Sequence, residues 1–441
     1  MQKKVLFLNI GTATKGQNHG NEDEEYYASF KTAISDANCK HIVLISSVKS
    51  RDKAERLKTM YPEDYRFFDI HLNEDDEYDT GKCFKTIYKG FESLNEVIDI
   101  SNDSIVDTTH ATGPMQSALL AAALYHDVLH IQYLKRKGRP GAWEGEEILH
   151  MDTSYPRMQS VFKQCRELFK SWQFSAAKSL FSAVNGIRIN IDNVKTLADF
   201  YSAWDRLDYN AAFRICFAPE NTPAFSETLP EDIESFGFAA TDAVREWIKA
   251  LAKPVVEPDE RKNVLLSTEQ INDNAGTVLN IMFDLYANGL RRLEAQQYED
   301  AGIRAYRIAE MMGQYYLFKE GYISNHMYFS NAEVRAFAEN NGISPQNGSD
   351  LLRPFGRKQV ISFLRHIHHP EADFLESLEA DIERRNTSIL IHGYSSSIDD
   401  VENLRNVFES LRRKLEKEVG EEGKEKLGAA LFMNNFKDRN R

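Results

Sequence analysis

The feature that most constrains the fold is an alternation of short apolar runs with longer amphipathic segments in the first third of the chain. The first run, Val5 to Ile10, is almost continuously apolar, which is typical of a strand buried on both faces of a parallel sheet. Further strands are predicted at residues 41–47, 65–72, 104–107 and 129–134, and helices at 24–37, 81–98 and 115–124. Strands that alternate with helices predict an α/β domain with an open, mostly parallel, Rossmann-like sheet.

Two of the predicted strand-to-helix turns carry small and hydroxyl-bearing residues. Gly11 and Thr12 follow the first strand, and the stretch from Asp107 to Gln116 (DTTHATGPMQ) follows the fourth. Both turns are expected at the carboxyl edge of the sheet, where open α/β folds bind ligands. Backbone N–H groups at a helix start, together with threonine hydroxyls, suit a phosphate. Neither turn is a GxGxxG motif, so a dinucleotide cofactor is not expected, and two well-capped turns without a ligand remain the alternative.

After about residue 155 the pattern becomes helical. Helical periodicity is predicted over residues 157–184, 194–217, 229–251 and 268–292. A weak internal echo recurs in Trp172–Ala177, Leu207–Ala212 and Gln296–Ala301. The first two copies are 35 residues apart, close to the period of a helical-hairpin repeat. A helical-repeat scaffold is therefore an alternative interpretation of the middle of the chain.

A second candidate site lies near the end of the chain, in the stretch Glu383 to Gly393 (ERRNTSILIHG). Arg385 and His392 are seven residues apart, and at about 100° per residue on a helix they return to within about 20° of the same face. Arginine binds phosphate through a planar fork of donors, and histidine exchanges protons near neutral pH. With the Asn386 amide beside them, these residues suit phosphodiester cleavage, and a solvated helix face is the alternative.

Composition narrows the function classes. The net charge of −13 argues against a protein that coats nucleic acid by bulk electrostatics, so any RNA site is expected to be local. The four scattered cysteines form no CxxC pair, which favours reduced cytoplasmic thiols over a zinc site. His366 and His369 have helical i, i+3 spacing but no accompanying acidic motif, so no metal site is predicted. No apolar run approaches membrane-spanning length, and no membrane association is expected.

The order of these parts resembles the CARF–HEPN ancillary ribonucleases of type III CRISPR systems. The resemblance rests on the Rossmann-like start with its Asp107-to-Gly113 turn, the helical middle and the late Arg-Asn-x5-His stretch. Three further segments are similar to that family, namely Tyr201–Tyr209, Asp284–Gly289 and Tyr298–Glu310. The resemblance implies a CARF domain over residues 1–155, a helical linker domain over 156–260 and a HEPN domain over 261–441.

The resemblance also implies an activity. Arg385, Asn386 and His392 would form a ribonuclease site that cleaves single-stranded RNA without a metal ion and leaves a 2′,3′-cyclic phosphate. A cyclic oligoadenylate, an activator rather than a cofactor, would bind at Gly11, Thr12, Thr108, Thr109, His110, Thr112, Gly113 and Met115. Paired HEPN domains imply a homodimer.

Three questions stay open at this point. Pro114 departs from the family pattern, where a lysine or another polar residue is common, so the ring size of the activator is open. The N-terminal pocket can also be read as a site that cuts its own activator. The main alternative to an enzyme is a non-catalytic nucleotide-sensing regulator joined to a helical-repeat interaction scaffold.

Overall fold

The computed structural model describes most of the chain in two compact units. The described residues are 5–12, 22–74, 76–96, 100–128, 130–139, 142–151, 153–183, 191–226, 228, 230–256, 266–346, 349–383 and 401–438. The first unit comprises Met1–Phe162 with Val184–Asn190, and the second comprises Lys163–Ala183 with Ile191–Arg441. The middle and C-terminal helices therefore group together, apart from the sheet.

The first unit is built on a six-stranded sheet of order β3-β2-β1-β4-β5-β6. Its strands are β1 (Val5–Ile10), β2 (His41–Ser46), β3 (Arg66–His71), β4 (Ser104–Asp107), β5 (His130–Arg139) and β6 (Ala142–Met151). The first five strands pair in parallel, and β6 pairs antiparallel with β5. The predicted open, mostly parallel sheet is confirmed, and the antiparallel edge strand β6 is an addition to it.

Strand β6 escaped prediction because most of its apolar residues, Ala142, Trp143, Ile148 and Leu149, come in adjacent pairs, which is neither an alternating pattern nor a continuous apolar run. Ile148 packs against the core that contains Leu8, and pairing with β5 places Lys135 opposite Glu147 and Arg136 opposite Glu146. Lys137 Nζ lies 3.0 Å from a Glu147 carboxylate oxygen. Cross-strand pairs of opposite charge stabilise such an exposed edge modestly.

Helices cover the sheet and bury both of its faces. They are α1 (Glu22–Ala37), α2 (Arg51–Thr59), α3 (Thr80–Asn95), α4 (Ile100–Asp103) and α5 (Gly113–Tyr125). Successive side chains of a strand point to opposite faces, so Phe7 and Leu8 of β1 belong to different cores. Phe7 packs against Phe91 of α3, and Leu8 shares its core with Phe30 of α1. This two-sided burial explains why β1 reads as a nearly unbroken apolar run.

The second unit is helical in its described residues. Its helices, after α6 (Ser154–Lys170), are α7 (Phe174–Ala183), α8 (Asp192–Asp205), α9 (Tyr209–Phe217), α10 (Glu231–Phe236), α11 (Asp242–Leu251), α12 (Thr268–Glu294), α13 (Tyr298–Lys319), α14 (Ala332–Asn340), α15 (Arg357–His366), α16 (Ala372–Glu383), α17 (Val401–Val419) and α18 (Glu421–Ala430). Helices α12 and α13 form a long hairpin against which α15, α16 and α17 pack.

The three copies of the sequence echo share one local structure. Trp172, Leu207 and Gln296 each adopt a left-handed conformation, with φ of 57°, 64° and 60°. The next amide in each copy closes the 6→1 bond of a Schellman cap, from Gln173 N to Leu168 O (2.8 Å), from Asp208 N to Ala203 O (3.0 Å) and from Gln297 N to Arg292 O (2.8 Å). Within each of the stretches 157–184 and 194–217, over which helical periodicity is predicted, the structure therefore has two helices joined at such a cap.

A C-terminal 3-10 turn, Met433–Asp438, inserts into the aromatic core of the second unit. Phe436 is fully buried and contacts five aromatic side chains, those of Phe169, Phe174, Tyr201, Phe238 and Phe432. Trp172 Nε1 donates to Met433 O at 2.8 Å. The end of the described chain is thus part of the core of this unit.

Truncation of Phe436 should therefore destabilise the second unit strongly. Phe436→Ala is expected to lower the free energy of unfolding by about 3–5 kcal/mol, because it removes a fully buried ring and leaves a cavity. Phe436→Leu, which keeps most of the volume, should cost less than about 1.5 kcal/mol. Urea denaturation followed by tryptophan fluorescence measures both, since Trp172, Trp204 and Trp247 lie in this unit. Equal midpoints for the alanine variant and the wild type would contradict the described packing.

Candidate functional site

The structure brings the two predicted turns into contact. Strands β1 and β4 are parallel neighbours, so the turns that follow them leave the same edge of the sheet. A Cβ atom added at Gly11 would lie 2.6 Å from the Ala111 Cα, so no side chain fits there. Ala111 has a φ of 101°, and Tyr26 OH donates to Gly11 O at 2.7 Å. Gly11 therefore allows the close approach of the turns.

Three residues of the second turn, Thr108, Thr109 and His110, contact neighbouring elements. Thr108 N donates to Gln132 O of β5 at 3.0 Å, and Leu134 N donates to Thr109 Oγ1 at 2.7 Å. The His110 ring lies 4.0 Å, centroid to centroid, from the ring of Phe30. These contacts fix the shape of the turn.

A buried carboxylate stands at the base of the turn. Asp107 is fully buried, and its Oδ1 accepts from Thr109 N at 2.8 Å. Its Oδ2 accepts from Gln132 Nε2 at 3.1 Å. Burial raises the pKa of Asp107, and the hydrogen bonds from Thr109 and Gln132 oppose that rise. The carboxylate holds the turn against β5.

Helix α5 begins within the second turn. Thr112 is its N-cap; the hydroxyl accepts from Met115 N at 3.5 Å and donates to Glu77 O at 2.6 Å. Gly113 is exposed, and a Cβ atom there would meet nothing within 4 Å. The Met115 side chain is fully buried in the sheet core, so only its backbone faces the turn. The positive end of a 13-residue apolar helix thus lies at this edge, as an anion site requires.

Sequence reasoning missed Asn9, which lies two residues before Gly11. The side chain is fully buried, and Nδ2 donates to Met115 O at 3.3 Å. Its Oδ1 has no hydrogen-bond partner among the described residues. A buried acceptor left unpaired costs about 1–3 kcal/mol, so Asn9 is a candidate acceptor for a ligand donor. The signal in the sequence was a single amide within an apolar strand.

The same edge of the sheet continues beyond β1. Ser50, which follows β2, donates to Ile10 O at 2.6 Å. Lys49 Nζ lies 2.7 Å from Glu77 Oε1, and the Glu77 carbonyl is the group that Thr112 binds. Burial would raise the pKa of Glu77, but hydrogen bonds from Lys49 and Ser47 lower it overall. The loops after β2, β3 and β4 are therefore linked to one another.

The predicted catalytic residues Arg385, Asn386 and His392 lie outside the described residues. Helix α16 ends at Glu383 and α17 begins at Val401, so the stretch connects these two helices. Their far ends are joined by a buried cation: Lys414 Nζ lies 2.5 Å from Glu371 Oε2 and 3.1 Å from Glu418 Oε1.

This ion cluster also reaches α13. Tyr316 OH donates to the Glu418 carboxylate at 3.0 Å, and burial raises the pKa of Tyr316. A buried charge that loses its partner destabilises a protein strongly. Any shift of α13, α16 or α17 that separated these groups would leave Lys414 or Glu418 unpaired, so the cluster fixes the register of the three helices.

The two histidines excluded as metal ligands lie in different surroundings. His366 faces Glu333 at 3.7 Å, whereas His369 faces Glu320 at 3.8 Å and packs against the Tyr316 ring. Burial lowers the pKa of His369. No group of three or more His, Cys, Asp or Glu residues in the described part of the chain is arranged to hold a metal ion.

Comparisons with known proteins show which family and which fold the chain resembles. The family model of the Csm6 HEPN domain matches residues 271–415, a span that runs from α12 into α17 and includes Arg385 to His392. Among solved structures, Enterococcus italicus Csm6 bound to cyclic hexa-2′-fluoro-hexa-dAMP matches with a TM-score of 0.60 and 13% identity, covering 99% of both chains. Residues 271–415 thus match the Csm6 HEPN domain, and the chain as a whole shares the fold of that Csm6. No curated protein sequence matches it significantly.

Two further observations concern the cysteines and the described helices. Cys39, Cys83, Cys165 and Cys216 are all buried and free, and burial raises the pKa of Cys83 and Cys216 to about 11. None of the described helices combines the length and the apolar character that crossing a membrane requires.

Proposed function

We propose that this protein is a cyclic oligoadenylate-activated endoribonuclease that cleaves single-stranded RNA in type III CRISPR antiviral defence. The observation that carries the proposal is the Csm6 HEPN match over residues 271–415, which contains the Arg-Asn-x5-His stretch. A fold shared over nearly the whole chain with a Csm6 bound to a cyclic oligonucleotide supports the activator. We further propose that the protein acts as a cytoplasmic homodimer.

The activator is proposed to bind the edge of the sheet where Gly11 and Ala111 meet. The start of α5 at Gly113 would face a phosphate, because the helix dipole and backbone N–H groups favour an anion there. Asn9 Oδ1 would accept from a ribose hydroxyl or an adenine amine. Thr12, which is exposed beside Gly11, is the last residue proposed to contact the activator at this edge.

In the proposed reaction, the ribose 2′-hydroxyl attacks the adjacent phosphorus and the 5′-oxygen of the next nucleotide leaves. His392 moves a proton between these oxygens, and Arg385 stabilises the charge that develops on the phosphoryl oxygens. Asn386 orients one of these groups. The bond from the 2′-oxygen to phosphorus forms as the bond from phosphorus to the 5′-oxygen breaks, and the proton of the 2′-hydroxyl ends on the 5′-oxygen. The products are therefore a 2′,3′-cyclic phosphate and a 5′-hydroxyl.

Cleavage is expected to proceed without a divalent ion. Arginine supplies the electrostatic stabilisation and histidine the proton transfer, the two roles that a metal ion would otherwise fill. The rate of RNA cleavage in excess EDTA should therefore stay within about twofold of the untreated rate, and end-group analysis should find the cyclic phosphate. Loss of cleavage in EDTA, restored by Mg²⁺ or Mn²⁺, would contradict this mechanism.

A non-catalytic regulator is the second candidate function. The observation that favours it is the repeated helix–cap–helix joint at Trp172, Leu207 and Gln296, which is the local geometry of a helical-repeat scaffold. Labelled RNA separates the two functions, since a regulator binds cyclic oligoadenylate and leaves the RNA intact. Chromatography of the activator after the same incubation tests whether the N-terminal domain also cuts it.

A further inference from the structure

A cavity of about 430 Å³ lies beside the α12–α13 hairpin, away from the Arg385-to-His392 stretch in sequence. One face of α13 lines it through Arg307, Met311, Gln314 and Phe318, whose spacing of three and four residues places them on one stripe of the helix. The volume falls within the range of about 300–1,000 Å³ that is typical of small-ligand sites.

The opposite wall of this cavity is apolar and held in place. Helix α12 contributes Val278, Ile281 and Leu285, and Val256 lies at the mouth with 38% of its surface exposed. The buried Asn274 side chain accepts from Val256 N and donates to Val256 O, both at 2.7 Å. The wall is thus fixed by a pair of hydrogen bonds, although it presents apolar surface to solvent.

Polar groups are few in this cavity and suit a nucleotide. The Arg307 side chain is 49% exposed while it pairs with Glu310 at 3.2 Å, so the guanidinium remains accessible to an anion. Gln314 offers an amide to a base edge, and Met311 and Phe318 offer apolar surface to a base face. Stacking on such surface is largely independent of base identity.

A second cavity, of about 530 Å³, adjoins the first. The two share Ile323 and His326 in their walls, and the second is lined by Tyr322 and Tyr328. Tyrosine rings are common stacking platforms for single-stranded nucleic acid. A free mononucleotide needs one such cavity, whereas two consecutive nucleotides of a strand need two that adjoin.

We propose that these two cavities hold two consecutive nucleotides of the single-stranded RNA substrate, with one base in each and a phosphate at Arg307. This proposal rests on the proposed ribonuclease function, and it adds a substrate-binding groove that is separate in sequence from the Arg-Asn-x5-His stretch. Local recognition of this kind fits a chain whose net charge of −13 repels nucleic acid elsewhere.

The test measures RNA binding apart from cleavage. The probe is a fluorescein-labelled single-stranded RNA with 2′-fluoro sugars, which lacks the attacking hydroxyl, and the readout is fluorescence anisotropy over a range of salt concentrations. The variants are Arg307→Gln and Met311→Trp. Arg413→Gln is the matched control, because Arg413 is 75% exposed, pairs with Glu409 and does not line either cavity.

The two variants should weaken RNA binding in different ways. Arg307→Gln should raise Kd about fivefold and reduce the slope of log affinity against log salt by about 0.7, the value for one lost phosphate contact on a single strand. Met311→Trp should raise Kd about tenfold with the slope unchanged, because it fills the space of a stacked base. Arg413→Gln should bind within about twofold of the wild type. On a cleavable RNA, Met311→Trp should raise KM and leave kcat unchanged.

The other outcomes separate failure of this proposal from failure of the proposed ribonuclease function. Wild-type affinity in both Arg307→Gln and a folded Met311→Trp would show that RNA does not occupy the cavity. Since Met311 is buried, circular dichroism checks the fold of that variant, and Arg307→Gln decides alone if the tryptophan is not accommodated. Loss of AMP binding in the variants with unchanged RNA affinity would make the cavity a mononucleotide site. A wild type that binds the probe but cleaves no RNA would instead refute the proposed function and leave the groove standing.

Discussion

His392→Ala is expected to lower the activator-dependent rate of RNA cleavage by about 10²–10⁴-fold, the usual contribution of a general acid or base. In the proposed mechanism the imidazole moves a proton in the transition state, so kcat should fall while KM changes little. The measurement is the single-turnover rate on a labelled single-stranded RNA at saturating activator. His392 lies within the span that matches the Csm6 HEPN domain, and no other role in the proposed mechanism depends on it.

The control for this prediction is another histidine of the same domain. His368 is exposed and has a φ of 58°, and asparagine tolerates that conformation, so His368→Asn keeps the fold and removes an imidazole. This variant should cleave at the wild-type rate. A His392→Ala protein that binds activator and still cleaves RNA normally would mean that the catalytic group lies elsewhere.

Gly113→Asp is expected to raise the activator concentration for half-maximal cleavage by about ten- to a hundredfold. The added carboxylate would stand at the start of α5, where an activator phosphate is proposed to bind, and like charges at close range repel by about 1–4 kcal/mol. The fold should not suffer, because a Cβ atom at Gly113 meets nothing within 4 Å. Aspartate in the first turn also complements the helix dipole and stabilises it by about 0.3–1 kcal/mol.

Gly113→Ala separates charge from size in this experiment. It adds the same Cβ atom without the carboxylate, so its half-maximal activator concentration should stay within about threefold of the wild type. The melting temperature of Gly113→Asp should equal or exceed that of Gly113→Ala. An unchanged midpoint for the aspartate variant would show that the turn after β4 is not where the activator phosphate binds.

Most of the sheet could be predicted from the sequence, because strands that are buried on both faces must consist mainly of apolar residues. Strand β1 was predicted at its observed bounds, since a central parallel strand is apolar on both faces. Strand β6 was missed because its apolar residues neither alternate nor form a continuous run, although Ile148 packs against a core. The breaks at Trp172 and Leu207 were also missed, because bulky residues rarely adopt a left-handed conformation and glycine is the usual signal there.

The contact between the two candidate turns was predictable from the sequence, but the direction of each side chain in them was not. Parallel neighbours in the sheet bring the Gly11 and Asp107-to-Gln116 turns together, and that follows from topology alone. Whether a side chain in the turn faces outward or inward depends on helix geometry, which sends Met115 into the core. Asn9 was not predicted as a site residue, because the sequence does not show whether a polar side chain in a buried strand finds hydrogen-bond partners within the protein.

The most direct test of the account is the rate constant of RNA cleavage by the wild-type protein with and without cyclic oligoadenylate. The account predicts slow cleavage without activator and an increase of at least about tenfold with one ring size, four or six adenylates, because an activator shifts a two-state equilibrium only through differential affinity. The same rate with no ring, with cyclic tetraadenylate and with cyclic hexaadenylate would contradict it.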